Sequence, residues 1–458
     1  MKNINIKRFQ LPAVGALMVL VFAALTYWAG FPREKFSIFV LGATILIGGM
    51  ALYGLVVWHL LLRPLPAEVK KPALAMQPVP SRRLQAVLVT IAGMGIVIGG
   101  FWDEVWHRSF GFPFGPDLFW RPHILIYLGL LTPPLLAVYS LYTLLKKGKG
   151  SLQQRFRADP VNGLIILAGC FLIYTVPADP IWHTIYGKDI SAWSLPHIML
   201  LFSVSLIMIL AVYIQLTTLP ERHGSSLRKI KVPELLVLVA LSFAILIQLQ
   251  VLATDWENGN RMLANRPDWL LPVIFASLST LMGSLVIRSL RRWGAATVIG
   301  LIAVLIRFGL IEASGYSAIT ARTWLPILPP LVALDLWYAI RIHLLRNRAG
   351  EIPLLHSSLS NGLASLVGMA VSLLIIARTF TYPVISWPGV VGMGLASLVA
   401  SILGSWIGFW LSDSLFQAKS LEDKEYKPGI ALRLASPAVF SIVVVFIVFF
   451  IVTAIPPA

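Results

Sequence analysis

Apolar residues along this chain are gathered into thirteen segments, separated by short stretches rich in charged residues, proline and glycine. About 20 consecutive apolar residues allow a helix to cross the hydrocarbon core of a bilayer. The pattern therefore predicts an all-α, polytopic transmembrane bundle of about thirteen spans. The segments lie near residues 11–31, 36–62, 84–102, 123–145, 161–178, 197–219, 233–254, 269–287, 294–312, 325–341, 358–382, 389–412 and 432–456.

Lysine and arginine are distributed unevenly between the two sets of alternating loops. With the N-terminus placed in the cytoplasm, 27 of the 37 Lys and Arg residues fall in or beside cytoplasmic segments. This is the positive-inside bias of multi-pass proteins, so we expect a plasma or inner membrane protein with a cytoplasmic N-terminus. Lys2, Lys7 and Arg8 precede the first segment as in a signal peptide, but the length of the apolar run favours a retained span.

The composition agrees with a bilayer environment, because 57% of the residues are apolar and only 12% are charged. A net charge of +17 invites a nucleic-acid partner, but the placement of the basic residues is explained by membrane topology. We therefore expect the lipid bilayer as a partner and no nucleic acid. The single cysteine, Cys170, excludes an intrachain disulfide and a metal site made of several thiolates.

One motif occurs twice, each time where a predicted span reaches the outer side. Both copies read D-x-x-W-H, then Gly and Asp, then Trp, and finally P-H at the start of the next span. Eight positions recur in the same order, which indicates an internal repeat. The aspartate and histidine residues of the two copies are Asp103, His107, Asp117 and His123, and Asp179, His183, Asp189 and His197.

The spacing within each copy suits a metal site. An Asp and a His four residues apart project from the same face of a helix, and the second His begins the next span at a similar depth. We therefore expect Asp103, His107 and His123 to converge in a first cluster, and Asp179, His183 and His197 in a second. Two imidazoles and a carboxylate suit copper, iron or zinc. A lone histidine at a membrane edge is more often structural, but a duplicated set favours metal binding.

Tryptophans accompany both copies of the motif. An aromatic belt at the membrane interface accounts for such residues in general, and it is our interpretation of Trp102 and Trp120. Trp106 and Trp182 each lie beside a histidine of a cluster, so we expect them also to shield the metal sites.

The motif resembles the C subunit of the copper membrane monooxygenases, the particulate methane and ammonia monooxygenases. That subunit carries one Asp/His/His and one Asn/His/His set, both associated with copper. The resemblance implies copper at both clusters here, with Asp103, His107 and His123 matching the first set and Asp179, His183 and His197 the second. Two departures are an apparent insertion within "FGFPFGP" and Asp179 where the family has Asn.

The resemblance also suggests an organisation for the whole chain. Residues 1–220 would form a C-subunit-like domain, and residues 233–458 are similar in their order of features to the family's A subunit. The family's third subunit carries cupredoxin domains that have no counterpart here. The resemblance therefore implies a separate periplasmic cupredoxin-like subunit, other membrane subunits or an oligomer, and a small apolar or weakly polar substrate. Of the two clusters, we favour Asp103, His107 and His123 as the catalytic one.

Two other functions explain the same residues. A metal transport or delivery protein would use the clusters as an outer loading site and would need a polar track through the membrane, for which Arg307, Glu312 and Asp335 are candidates. A non-catalytic subunit would use the metal only to brace its helices. For Arg307 and Asp335 a simpler interpretation is an ion pair that joins two spans.

Overall fold

The computed structural model contains helices, short connections and no strands in the residues that it describes. These residues are 36–62, 77–110, 120–147, 149–179, 181–182, 193–219, 230–253, 256, 269–313, 320–344, 354–379, 387–416 and 443–445. The helices are α1 (Phe36–Val57), α2 (Val79–Phe110), α3 (Arg121–Lys147), α4 (Leu152–Ala158), α5 (Pro160–Thr175), α6 (Leu195–Leu216), α7 (Val232–Leu252), α8 (Leu270–Leu290), α9 (Ala295–Ala313), α10 (Leu328–Leu344), α11 (Leu354–Thr379) and α12 (Trp387–Phe416). A five-residue π-helical segment follows α1, and a 3-10 turn (Thr320–Ile327) precedes α10.

Nine of the helices in the described residues are long and apolar enough to cross a membrane, or ten if the bent pair α4 and α5 is counted as one span. Eleven of the thirteen predicted segments coincide with described helices, and the expectation of an all-α multi-pass protein is confirmed at that level. The segment 11–31 and all of 432–456 except residues 443–445 lie outside the described residues.

Helices α2, α3, α5 and α6 pack as a closed ring: each helix contacts the next in this order, and α6 also contacts α2. The start of α2, the start of α5 and the end of α6 meet at one side, where the Gln85 amide donates to Asn162 and Arg82 donates to the Thr217 carbonyl. We call this side the lower face. The end of α2 and the starts of α3 and α6 therefore lie at the other side, the upper face.

The two halves of the chain are packed against each other, and α7 joins them. Helix α7 contacts α6 and α2 on one side and α9 and α8 on the other. At the lower face, Glu234 of α7 forms a buried ion pair with Arg292, with 3.0 Å between Oε2 and the guanidinium nitrogen. Both side chains are only 2% exposed, and the Glu234 carboxylate also accepts a hydrogen bond from the Lys231 backbone.

In the second half, α8 is surrounded by α9, α10, α11 and α12. Buried hydroxyl groups line the contact between α8, α11 and α12, and Ser284 lies at its centre. The Ser284 hydroxyl is 2.8 Å from that of Ser405 and accepts a hydrogen bond from the Asn361 amide. Small residues and hydrogen bonds of this kind are the usual means of joining helices in membranes.

Asp335 caps the N-terminus of α9 instead of pairing with Arg307. Its carboxylate accepts hydrogen bonds from the backbone N–H groups of Ala296, at 3.3 Å, and Thr297, at 2.6 Å. Arg307 lies ten residues further along α9, about 15 Å away at 1.5 Å of rise per residue. The expected Arg307–Asp335 ion pair is therefore wrong. The Asp335 carboxylate is bound at the N-terminus of α9 instead, where it accepts hydrogen bonds from backbone donors that the helix leaves unsatisfied and interacts favourably with the helix dipole.

Candidate functional site

The first copy of the motif brings Asp103 and His123 together at the upper face. Asp103 lies in the last turns of α2 and His123 in the first turn of α3, with 2.7 Å between Asp103 Oδ1 and His123 Nε2. The histidine side chain is 16% exposed and the aspartate 22%. The sequence-based expectation that these two residues meet is confirmed.

The second copy forms the equivalent contact between α5 and α6. Asp179 follows the end of α5, and His197 lies in the first turn of α6. Asp179 Oδ1 and His197 Nε2 are 3.4 Å apart, and the side chains are 37% and 32% exposed. Both copies therefore use the same imidazole nitrogen, with the carboxylate from the end of one helix and the imidazole from the start of the next.

The third predicted member of each cluster, His107 or His183, is not among the described side chains. His183, Asp117 and Asp189 lie outside the described residues, and so does the side chain of His107, although its backbone continues α2. Among the side chains that the structure describes, no group of three or more His, Cys, Asp or Glu residues is close enough to hold a metal ion. Each cluster is thus represented here by an Asp–His pair, and the three-residue sets remain predictions.

A close approach of two backbones sets the first Asp–His contact. Gly99 lies four residues, one helical turn, before Asp103. A Cβ atom at Gly99 would lie 2.7 Å from the carbonyl oxygen of Pro122 and 2.8 Å from the side chain of Ile126. Pro122 is the residue next to His123. Only a glycine at position 99 lets α3 begin this close to α2, and that distance allows the short aspartate side chain to reach the imidazole.

The second contact is set by a hydrogen bond instead. Thr175 stands four residues before Asp179, as Gly99 does before Asp103. Its hydroxyl is 2.8 Å from that of Ser203, and both side chains are buried. Ser203 lies six residues after His197, and the corresponding residue of the first copy is Gly129. A Cβ atom at Gly129 would collide with the backbone of α2 at Ala92, so this glycine also marks a close approach of α2 and α3. The two copies therefore share a geometry but hold it by different means.

Aromatic side chains pack beside both pairs. The rings of Trp102 and Trp120 are 5.7 Å apart beside the first pair, and those of Trp193 and Trp256 are 5.8 Å apart near the second. Trp102 is only 7% exposed and belongs to the main core, so its assignment to an interfacial aromatic belt is wrong. Trp182 is also buried, which agrees with the predicted shielding role, whereas the side chain of Trp106 lies outside the described residues.

Arg307 connects the second half of the chain to the helix that carries Asp103. Its guanidinium carbon lies 3.5 Å from the ring centre of Trp324 and 4.8 Å from that of Phe101, two residues before Asp103. The arginine is 2% exposed. Stacking on an aromatic face stabilises a desolvated guanidinium group. The sequence marked Arg307 as unusual, because it lies inside an apolar segment, but did not identify its aromatic neighbours.

The donor atoms fit a metal ion in two different ways. Two donors that each lie about 2.1 Å from one ion are roughly 3.0 to 3.4 Å apart at angles from a right angle to tetrahedral. The 3.4 Å separation of Asp179 and His197 suits direct ligation by both residues. The 2.7 Å separation of Asp103 and His123 is shorter, and there the carboxylate would orient the imidazole for a metal instead of sharing one ion with it.

No protein-family model matches the chain, and no match was found among the curated proteins or among the solved structures.

Proposed function

We propose that this chain is a membrane metalloprotein that binds copper at both Asp/His clusters and acts as an oxidoreductase on a small apolar or weakly polar substrate. The observation that supports this proposal most directly is the double occurrence of one contact. Asp103–His123 and Asp179–His197 join the same two atom types at corresponding places of the repeat. A single Asp–His contact has many structural explanations, whereas two copies held by unrelated packing indicate a requirement for the pair itself.

The topology that goes with this proposal has thirteen spans and a cytoplasmic N-terminus. The upper face would then be the periplasmic or outer side, and the basic lower face the cytoplasmic side. Copper at the outer face is accessible to a separate cupredoxin-like subunit, which would deliver electrons or metal. His107 and His183 are proposed as the third ligands, because a residue four positions after an aspartate lies on the same side of a helix.

The protein residues would bind, orient and shield the metal. Imidazole nitrogen suits copper, which supplies redox chemistry and open positions for oxygen when bound. Asp103 would orient His123 through its close contact with Nε2, whereas Asp179 would contribute an oxygen ligand directly. Trp182 and the Trp102–Trp120 pair would restrict water around the sites, and iron or zinc are the alternatives that the same donors allow.

The packing of the ring disfavours metal transport through it. Charged and amide side chains are buried near the lower face, among them Arg82, Asp159 and Asn162. Between these residues and the two Asp–His pairs, the described and buried side chains of α2, α3, α5 and α6 are apolar or carry only a hydroxyl group. A desolvated ion needs a series of polar ligands. The ring therefore suits a metal site at one face better than a path between faces.

Metal analysis of the purified full chain tests the proposal. Copper content and the electron paramagnetic resonance spectrum would be compared for the wild type, His107→Ala, His183→Ala and the control His356→Ala, which changes an exposed histidine at the start of α11. We expect one copper signal to be lost in each of the first two variants and neither in the control. Zinc at full occupancy, or equal copper in all four proteins, would rule out the copper oxidoreductase.

Substrate oxidation separates an enzyme from a subunit that is only braced by metal. Oxygen uptake by the copper-loaded protein would be measured with a reductant and small alkanes or amines. If copper binds at both sites but azide leaves its spectrum unchanged, the metal has no open coordination position, and its role is structural.

A further inference from the structure

Helix α1 is attached to α5 along one of its sides. The Tyr53 hydroxyl donates to the Leu167 carbonyl at 2.9 Å, and the Tyr174 hydroxyl donates to the Ile45 carbonyl at 3.3 Å. A Cβ atom at Gly49 would overlap the ring of Tyr174. The side of α1 that carries Gly49 and Tyr53 is therefore the side that faces α5.

The opposite side of α1 is exposed and consists mostly of small residues. At about 3.6 residues per turn, Thr44 and Ala51 lie about half a turn away from Tyr53. Gly48 lies beside them, and a Cβ atom there would meet nothing within 4 Å. Leu55, which is 63% exposed, completes this side. We call the four exposed residues Thr44, Gly48, Ala51 and Leu55 the small-residue face.

The composition of the small-residue face favours a helix as its partner. Small residues are typical of contacts between membrane helices, because they let two backbones approach closely. The exposed side of α11 carries bulky residues instead, which suit contact with acyl chains. These residues are Leu363, Val367, Val371 and Leu374, and they are 50% to 71% exposed.

The predicted span at residues 11–31 is the neighbour of α1 along the chain. Only the four residues 32–35 separate it from Phe36, where α1 begins. Connections of about two to eight residues usually join antiparallel helices that touch each other. Because α5 occupies one side of α1, the small-residue face opposite is the side on which such a neighbour can pack.

The sequence of residues 11–31 provides a matching small surface. On a helix, four alanines of this segment lie within about 100° of one another, and four bulky residues lie on the opposite side. The alanines are Ala13, Ala16, Ala23 and Ala24, and the bulky residues are Val14, Met18, Phe22 and Leu25. Ala16 and Ala51 each lie 15 residues from the ends that the connection joins, so an antiparallel hairpin places them at the same depth.

We propose that residues 11–31 pack antiparallel against the small-residue face, with the alanines turned toward α1. The two helices then form a hairpin, which α1 joins to α5 through Tyr53 and Tyr174. This contact does not depend on the proposed copper chemistry. A second copy of the chain and the lipid bilayer are the other occupants that the test distinguishes.

The test is disulfide formation in the full chain, reconstituted in lipid, with Cys170→Ser as the background. The variant is Ala16→Cys with Ala51→Cys. The matched control is Met18→Cys with Ala51→Cys, which moves the first thiol to the opposite side of the predicted helix. Half of the protein carries a heavy isotope, so that peptide mass spectrometry separates links within one chain from links between two chains.

We expect Ala16→Cys with Ala51→Cys to give linked peptides of one isotope only, because a disulfide requires Cβ atoms about 4 Å apart. The control should give no link. Linked peptides of mixed isotope would assign the small-residue face to a second copy and overturn the proposal. The absence of links in both variants, or equal linkage in both, would overturn it as well.

A glycine substitution gives a second measurement that needs no crosslink. Gly48→Leu should lower the midpoint of thermal unfolding, because a bulky side chain would be forced into a helix contact. Gly309→Leu is the control, since Gly309 is exposed and also has nothing within 4 Å of an added Cβ atom. It should leave the midpoint unchanged or raise it. Equal shifts in the two variants would contradict the proposed contact.

Discussion

Gly99 of α2 approaches Pro122 of α3 so closely that a Cβ atom on the glycine would lie 2.7 Å from the proline carbonyl oxygen. Both residues are neighbours of the first Asp–His pair. Gly99 is one helical turn before Asp103, and Pro122 precedes His123. The separation of the two backbones and the 2.7 Å contact of the two side chains therefore depend on each other.

Gly99→Ala is expected to separate the start of α3 from the end of α2. Overpacking of a tight contact costs about 1–3 kcal/mol, and here the opposing atom belongs to the backbone and cannot rotate away. Stability against unfolding should fall by that amount, and copper at the first cluster should be lost while the second is retained. Unfolding in detergent and metal counting measure the two effects.

Gly309→Ala serves as the control for this change. Gly309 lies in α9, and a Cβ atom there would meet nothing within 4 Å. Alanine should be neutral or stabilising by up to about 1 kcal/mol, because glycine lowers the stability of a helix interior. A Gly99→Ala protein with wild-type stability and full copper would contradict the role assigned to the close approach.

At the second cluster, the Thr175–Ser203 hydrogen bond takes the place of the glycine contact. Thr175→Val removes one hydroxyl at nearly constant volume, and Ser203→Ala removes the other. Hydrogen bonds between membrane helices contribute about 0.6 kcal/mol on average and up to about 1.7 kcal/mol. A double-mutant cycle on unfolding should give a coupling energy in that range. Purely additive effects would show that the two hydroxyl groups do not support each other.

The limits of the predicted spans and the partners in both Asp–His pairs could be read from the sequence because each depends on local order. Apolar runs end where charged residues or Pro begin, so the segment predicted near 197–219 appears as α6, Leu195–Leu216. The pairs followed from the repeat, since successive antiparallel helices must meet at one face. Lipid-facing and core-facing residues are both apolar, however, and for this reason Trp102 was assigned to the wrong environment.

What could not be predicted depends on groups that the sequence does not display. Asp335 binds backbone N–H groups, which every residue carries, so no pattern of side chains indicates that partner. Gly99 and Thr175 occupy corresponding places of the repeat but have nothing in common as residue types. Their shared role becomes visible only when the distance between neighbouring helices is known.

Ser284 should be the most sensitive hydroxyl group of the second half. It interacts with both Ser405 and Asn361, whereas Ser289 has one hydroxyl neighbour across the interface, Ser412. Ser284→Ala leaves a buried amide without its acceptor, at a cost of about 1–3 kcal/mol. Ser289→Ala should cost less. The order of the two unfolding free energies tests the prediction, and equal losses would contradict it.

Arg307 and Asp335 provide a test of the structure against the ion pair that their positions in the sequence suggest. An ion pair inside a membrane would show strong coupling, because removal of one charge leaves the other unpaired. In the structure, Asp335 is bound to the start of α9, and Arg307 stacks on Trp324 near the upper face. Sites about 15 Å apart should have effects that add within about 0.5 kcal/mol. Asp335→Asn, Arg307→Met and the double variant would be compared by unfolding in detergent.

Asp335→Asn should cost about 0.5–2 kcal/mol through the weakened helix cap. Arg307→Met should cost about 1–2 kcal/mol through the lost stacking. A coupling energy above about 1 kcal/mol would mean that the two charges do interact.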